Sequence, residues 1–257
     1  MIKKIIISFL FILNYAISFS QEYPLTKQGI PTSKGIEYYI KQNEVRFISE
    51  YQKLVNDSLY DVYVSIDDLS KYVDNDNLDA LGYCFSEKGS SEIILTNEEK
   101  YIAYESSMLS KYKRRNINEA NNFVKGVFFH ELTHFYFNQV IIQMRLDSMY
   151  VCPDYNNFSM IPHLNVFSSK FIEEGICMYV TIKIGECLLG KDYMPETLEE
   201  IKDKQNKYDI LYKYSAEYVK TFIDQHGIKK SIQMLVSTKP PTYEELLNPD
   251  KYWCKFK

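Results

Sequence analysis

Only four histidines occur in the 257 residues, and two of them, His130 and His134, bracket the pentapeptide His130-Glu131-Leu132-Thr133-His134. On an α-helix, positions four apart share one face. Two imidazoles so placed reach a single zinc ion, and Glu131 lies close enough to receive a proton from a water held beside them. The chemistry is hydrolytic: zinc acidifies water and polarises a carbonyl, while the carboxylate moves the proton. With so few histidines a chance match is rare, and Leu132 between them is free to face the core.

A catalytic zinc site takes three protein ligands and keeps one position open. The downstream candidates for the third ligand are Glu173, Glu174, His163, Glu186 and His226. The Glu173-Glu174 pair stands out because it opens a mostly apolar segment, Phe171-Ile172-Glu173-Glu174-Gly175-Ile176-Cys177-Met178-Tyr179. A carboxylate there is costly unless paired or metal-bound. The plainer alternative is that both glutamates complement a helix N-terminus. Gly175 permits close approach of a neighbouring helix. His163 falls in an irregular stretch, and His226 before Gly227 reads as a helix end.

The elements that position these groups follow from periodicity. Apolar residues from Tyr38 to Leu59 recur at helical spacing, whereas Asp61 to Ile66 alternates as a strand does. Residues 81–85 and 92–96, joined through Glu87-Lys88-Gly89-Ser90, form a predicted hairpin. Asn118 or Asn121 is the expected cap of the helix carrying His130 and His134. Residues 150–167, with Pro153, Asn156, Asn157 and Pro162, predict an irregular excursion. Helices are expected over about 168–189, Asp209 to Gln225 and Ile228 to Val236, with Pro240-Pro241 opening a tail. Strands confined to the first half and helices dominating the second give an α+β class.

The N-terminus has a basic head, Met1-Ile2-Lys3-Lys4, then an apolar run over residues 5–19 and small residues at Ser18 and Ser20. This describes a signal peptide over residues 1–20, cut after Ser20. The run is shorter than the ~20 residues a membrane span needs and is interrupted by Asn14, so no stable anchor is expected after cleavage. Residues 21–257 are long enough for one domain with a substantial core. The net charge of −4 becomes more negative once Lys3 and Lys4 are lost, which disfavours a nucleic-acid partner. Five cysteines without Cys-x-x-Cys spacing disfavour a cysteine-only zinc site; one or two disulfides are compatible with an oxidising compartment. Cys177, inside an apolar helical run, reads as a buried small hydrophobe.

His130 to His134, followed by a helix carrying Glu174-Gly175, resembles the gluzincin (peptidase MA-like) zinc metallopeptidases, which include thermolysin and the M1 aminopeptidases. His130-Glu131-Leu132-Thr133-His134-Phe135-Tyr136-Phe137 is similar to the M1 helix motif His-Glu-Leu-Ala-His-Gln-Trp-Phe. Glu173-Glu174-Gly175-Ile176-Cys177-Met178-Tyr179 is similar to that family's Asn-Glu-Gly-Phe-Ala followed by tyrosine. The resemblance implies a zincin-like sheet packed on the helical half, with zinc held by His130, His134 and Glu174 and with Glu131 as catalytic base. It sets Glu173 beside the ligands. It also implies that Tyr212, in Tyr212-Lys213-Tyr214-Ser215, donates to the oxyanion, with Tyr214 as the next choice, and that the strand Glu92 to Thr96 edges the cleft. Thirty-nine residues separate His134 from Glu174, about twice the spacing in M1 enzymes and thermolysin, and the excess is the excursion before the second helix. The M1 Gly-x-Met-Glu-Asn motif that holds a free amine is missing.

The expectation is therefore a secreted or otherwise extracytoplasmic zinc metallopeptidase acting on a peptide or protein substrate, an endopeptidase in preference to an aminopeptidase. The alternatives are a non-catalytic binding protein on a peptidase-like scaffold, and a zinc hydrolase of a non-peptide amide or ester.

Overall fold

The fold is given by a computed structural model that describes residues 33–67, 71–72, 82–87, 90–95, 117–147, 152, 155, 160–161, 166–189, 211 and 214–256. The leader over residues 1–20, His163 and Tyr212 lie outside the described residues.

Helix α1 (Ser33–Val55) buries Ile40, Phe47, Tyr51 and Val55, a stripe at helical spacing. Strand β1 (Tyr63–Ile66) follows, then β2 (Gly82–Glu87) and β3 (Ser90–Leu95). β2 and β3 pair antiparallel, as the hairpin pattern predicts, and β1 adds to β3 in parallel. The order is therefore β1-β3-β2. This corrects the expectation that the strand from Glu92 edges the cleft, because β3 is central. The reason lies in its side chains: Ile93, Ile94 and Leu95 are all buried, a continuous apolar run suited to a strand covered on both faces. Among the described residues, β2 is the edge on the side of the histidine helix.

That helix, α2 (Ile117–Asp147), is already helical at Ile117, so Asn118 and Asn121 lie inside it and neither is its cap. α1 backs it through aromatic edge contacts: Phe47 and Tyr51 meet Phe129 at 6.1 and 5.6 Å between ring centres, and Tyr51 meets Tyr136 at 6.1 Å. The excursion before the next helix contains a short ladder, β4 (Met160–Ile161) with β5 (Val166–Phe167). Helix α3 (Ser168–Leu189) starts directly from it. Helix α4 (Ser215–His226) covers the C-terminal part of the helix expected over Asp209 to Gln225, whose start lies largely outside the described residues, and ends where Gly227 turns the chain at φ 76°. Helix α5 (Ile228–Val236) matches its periodicity. The tail after Pro240-Pro241 folds into α6 (Tyr243–Leu247) and α7 (Pro249–Trp253), closed by a 3-10 turn at Cys254–Phe256. It docks by burying Tyr252 and stacking Trp253 on Phe222 at 4.8 Å.

The architecture is α+β, a small sheet region packed against a mainly helical one. No helix among the described residues is long and apolar enough to cross a membrane. Among the described residues Cys84, Cys152, Cys177 and Cys254 are free thiols, and no disulfide joins them.

Two glycines on the central helices set a test of packing. A Cβ on Gly175 would lie 2.5 Å from the Ser215 carbonyl oxygen, so α3 and α4 meet backbone to backbone there. A Cβ on Gly126 would find Thr181 Cγ2 at 3.7 Å, an ordinary contact. Gly175→Ala is expected to cost about 1–3 kcal/mol through overpacking. Gly126→Ala should be neutral or stabilising by up to about 1 kcal/mol, since alanine is the better helix former. Urea denaturation of both variants checks this; equal costs would place the tight contact elsewhere.

Candidate metal centre

Thr133, in the middle of the pentapeptide, shows how α2 is held. Its hydroxyl donates to the Phe129 carbonyl at 2.8 Å and accepts from the buried Tyr51 hydroxyl at 3.0 Å. α1 therefore clamps the back of the turn whose front bears His130 and His134. The two imidazoles stand edge to face with ring centres 5.0 Å apart.

α3 crosses in front of them, bearing a polar stripe on an otherwise apolar helix: Lys170, Glu174, Cys177 and Thr181, at positions i, i+4, i+7 and i+11. Glu174 is 5% exposed, and its carboxylate faces both rings. Oε2 is 3.2 Å from His130 Nε2, and Oε1 is 3.5 Å from His134 Nε2. Bonds of ~2.0–2.1 Å to a tetrahedral zinc place neighbouring ligand atoms about 3.4 Å apart, so both separations suit a shared ion. Oε1 also meets the Lys170 ammonium at 3.0 Å. Oε2 is buried without a hydrogen-bond partner, an arrangement that is costly for a carboxylate oxygen with only protein around it. The donor set and this orphaned oxygen both fit a divalent cation.

The other nitrogen of each ring is occupied. His134 Nδ1 contacts Glu173 Oε1 at 2.6 Å, and His130 Nδ1 contacts Thr181 Oγ1 at 3.4 Å. Because the Thr181 hydroxyl donates to the Cys177 carbonyl, its oxygen is left to accept from His130. In the neutral rings both contacts favour the proton on Nδ1, which leaves the Nε2 lone pairs facing Glu174. Glu173, adjacent to the expected ligand, thus orients His134 from behind.

Electrostatics follow from burial and neighbours. Burial would depress the His134 ring, but Cys177, Glu174 and Glu173 beside it push it well above its usual range. Burial likewise works against ionisation of Glu174, yet Lys170 and His134 hold it well below the usual carboxylate range. Glu131 is raised by burial, opposed by His130 and His134. Burial pushes the Cys177 and Cys84 thiols up to about 12. Glu131 is 5% exposed and lies under the edge strand, where a Cβ on Gly82 would come within 2.6 Å of its Cγ and Oε1. Only glycine lets β2 pass so close to this carboxylate.

His130, His134 and Cys177 each offer one ligand atom, and these atoms all lie within 4.8 Å of one another. Cys177 was expected as a small hydrophobe; it is fully buried, but it also belongs to this cluster. Its signal in the sequence was the polar stripe, three residues past Glu174 on the same helical face. Other candidates fall away from the rings. His226 packs on Phe222 at 4.7 Å at the end of α4, and the Tyr214 hydroxyl donates to the Leu246 carbonyl within the core. His163, Tyr212 and the Glu186 side chain are outside the described residues.

The protein thus carries a His/His/Cys cluster capable of coordinating a metal ion, with two glutamates at its side. Comparison with family models, with curated proteins and with solved structures gives no match for this chain.

Proposed function

We propose that this protein is a zinc-dependent hydrolase of peptide bonds, with zinc held by His130, His134 and Glu174. The observation that carries the reading is the buried Glu174 carboxylate, 3.2 and 3.5 Å from the two Nε2 atoms, with Oε2 lacking any hydrogen bond. Its gluzincin-like character rests on the two motifs, since Glu174 meets the histidines across the long intervening stretch.

Bound zinc supplies the Lewis acidity that acidifies water and polarises the scissile carbonyl. Glu131 takes the proton of the attacking water and returns it to the leaving nitrogen. Burial beneath β2 suits it to that exchange, since a raised carboxylate lies nearer the operating pH. Glu173 keeps the His134 ring in the tautomer that presents Nε2. Tyr212 is the proposed donor to the oxyanion, on the strength of the motif resemblance alone.

A peptide is the favoured substrate because of the edge strand. Among the described residues β2 pairs only with β3, so its other side offers backbone groups to an extended chain running past Glu131. The M1 motif that holds a free amine is missing from the sequence, which favours endopeptidase action. The leader pattern of residues 1–20 supports a site of action outside the cytoplasm.

A mixed peptide digest incubated with the zinc-loaded mature chain, read by mass spectrometry, tests this. Internal cleavages that vanish with a chelator and return with zinc are the expected result. A zinc-loaded protein that leaves every peptide intact would sink the reading.

A further inference from the structure

A three-ligand zinc centre leaves the fourth position to water, yet the ligand atoms that cluster with His130 and His134 include the sulfur of Cys177. Cys177 follows Glu174 by three residues on α3 and so lies on the same helical face. Its sulfur falls within 4.8 Å of a ligand atom of each histidine, and the residue is fully buried. Independently of the sulfur, Glu174 Oε2 is buried there without a hydrogen-bond partner. The two imidazoles of α2 are therefore approached from α3 by the Cys177 sulfur and, separately, by the Glu174 carboxylate.

Resting on the zinc reading above, we propose that Cys177 is a fourth protein ligand of the resting centre, and that its thiolate occupies the position hydrolysis needs. Four N, O and S donors in a tetrahedron make a closed site. Cys177 would hold the ion as its thiolate, its proton having passed to solvent. For turnover Cys177 would have to release the ion and take a proton back from solvent, leaving its place to water. The protein is then a gated hydrolase whose basal rate is limited by departure of its own side chain.

Among the described residues Cys84, on β2, is a second thiol near His134, Glu131 and Cys177. Its sulfur is not among the clustered ligand atoms, so it serves as the control. The structure assigns the sulfur ligand to α3, not to the edge strand.

X-ray absorption of the zinc-loaded full chain, with no substitution, gives the first reading. One sulfur scatterer at ~2.3 Å beside the nitrogen and oxygen shell is expected. A bound zinc surrounded by nitrogen and oxygen alone overturns the proposal while leaving the hydrolase reading intact. Failure to bind zinc at all would defeat the hydrolase reading first. Cobalt substitution gives the second: a sulfur-to-cobalt charge-transfer band that persists in Cys84→Ala and disappears in Cys177→Ala. A band lost in Cys84→Ala instead would move the ligand to β2. Cys177→Ala is expected to bind zinc at least ~10-fold more weakly and to hydrolyse peptide severalfold faster when zinc-saturated. Unchanged or slower turnover in that saturated variant would overturn the gate.

Discussion

Glu131→Gln retains the metal ion and loses turnover by at least about 100-fold, the lower end of what a positioned general base contributes. The substitution keeps the shape and volume of a side chain that is 5% exposed and pressed under Gly82. It removes the one property the mechanism needs, the ability to accept a proton. Neither imidazole nor Glu174 changes, so metal content measured by atomic absorption should remain at the native level. The carboxylate is buried and raised by that burial, so replacing it with a neutral amide need not destabilise the fold. Loss of stability therefore does not explain a lost activity if the denaturation midpoint is preserved. A metal-loaded Glu131→Gln protein that cleaves peptide at the native rate would remove Glu131 from the mechanism.

Glu174→Ala and Glu173→Ala separate a ligand from the residue that aims one. Glu174 faces both Nε2 atoms, so its removal deletes a donor and leaves Lys170 without its 3.0 Å partner. Glu173 meets His134 on its far side, at Nδ1, and lies 3.6 Å from the Lys170 ammonium. Loss of such an orienting partner typically costs 10–100-fold in metal affinity, so Glu173→Ala is expected in that range. Glu174→Ala should lie beyond it, with zinc lost on dialysis against a weak chelator. Competition titration with a chromophoric chelator gives both constants. Equal losses, or a larger loss for Glu173→Ala, would reverse the assignment of the ligand.

The local and the distant parts of the site differed in how far the residues alone revealed them. The pairing of His130 with His134 was legible because four residues make one helical turn, whatever the rest of the chain does. The same holds for α3, whose bounds follow from its apolar run, for the β2–β3 hairpin, and for Gly227, whose φ of 76° suits the stop read there. These are short-range properties of backbone geometry and side-chain pattern.

Tertiary structure decided which distant groups meet. Glu173 and Glu174 are neighbours with the same chemistry, and only the rotation of α3 against α2 sends one to the Nε2 atoms and the other to His134 Nδ1. That rotation also brings Cys177 into the cluster, where its apolar surroundings in the sequence suggested mere packing. Strand order was equally hidden: a hairpin pattern fixes β2 against β3 but does not say on which side β1 adds. Its parallel docking on β3 left β2 at the edge, with Gly82 over Glu131. Spacing along a helix is set by a few dihedral angles, whereas the contacts of a metal centre built from two helices depend on packing across the core.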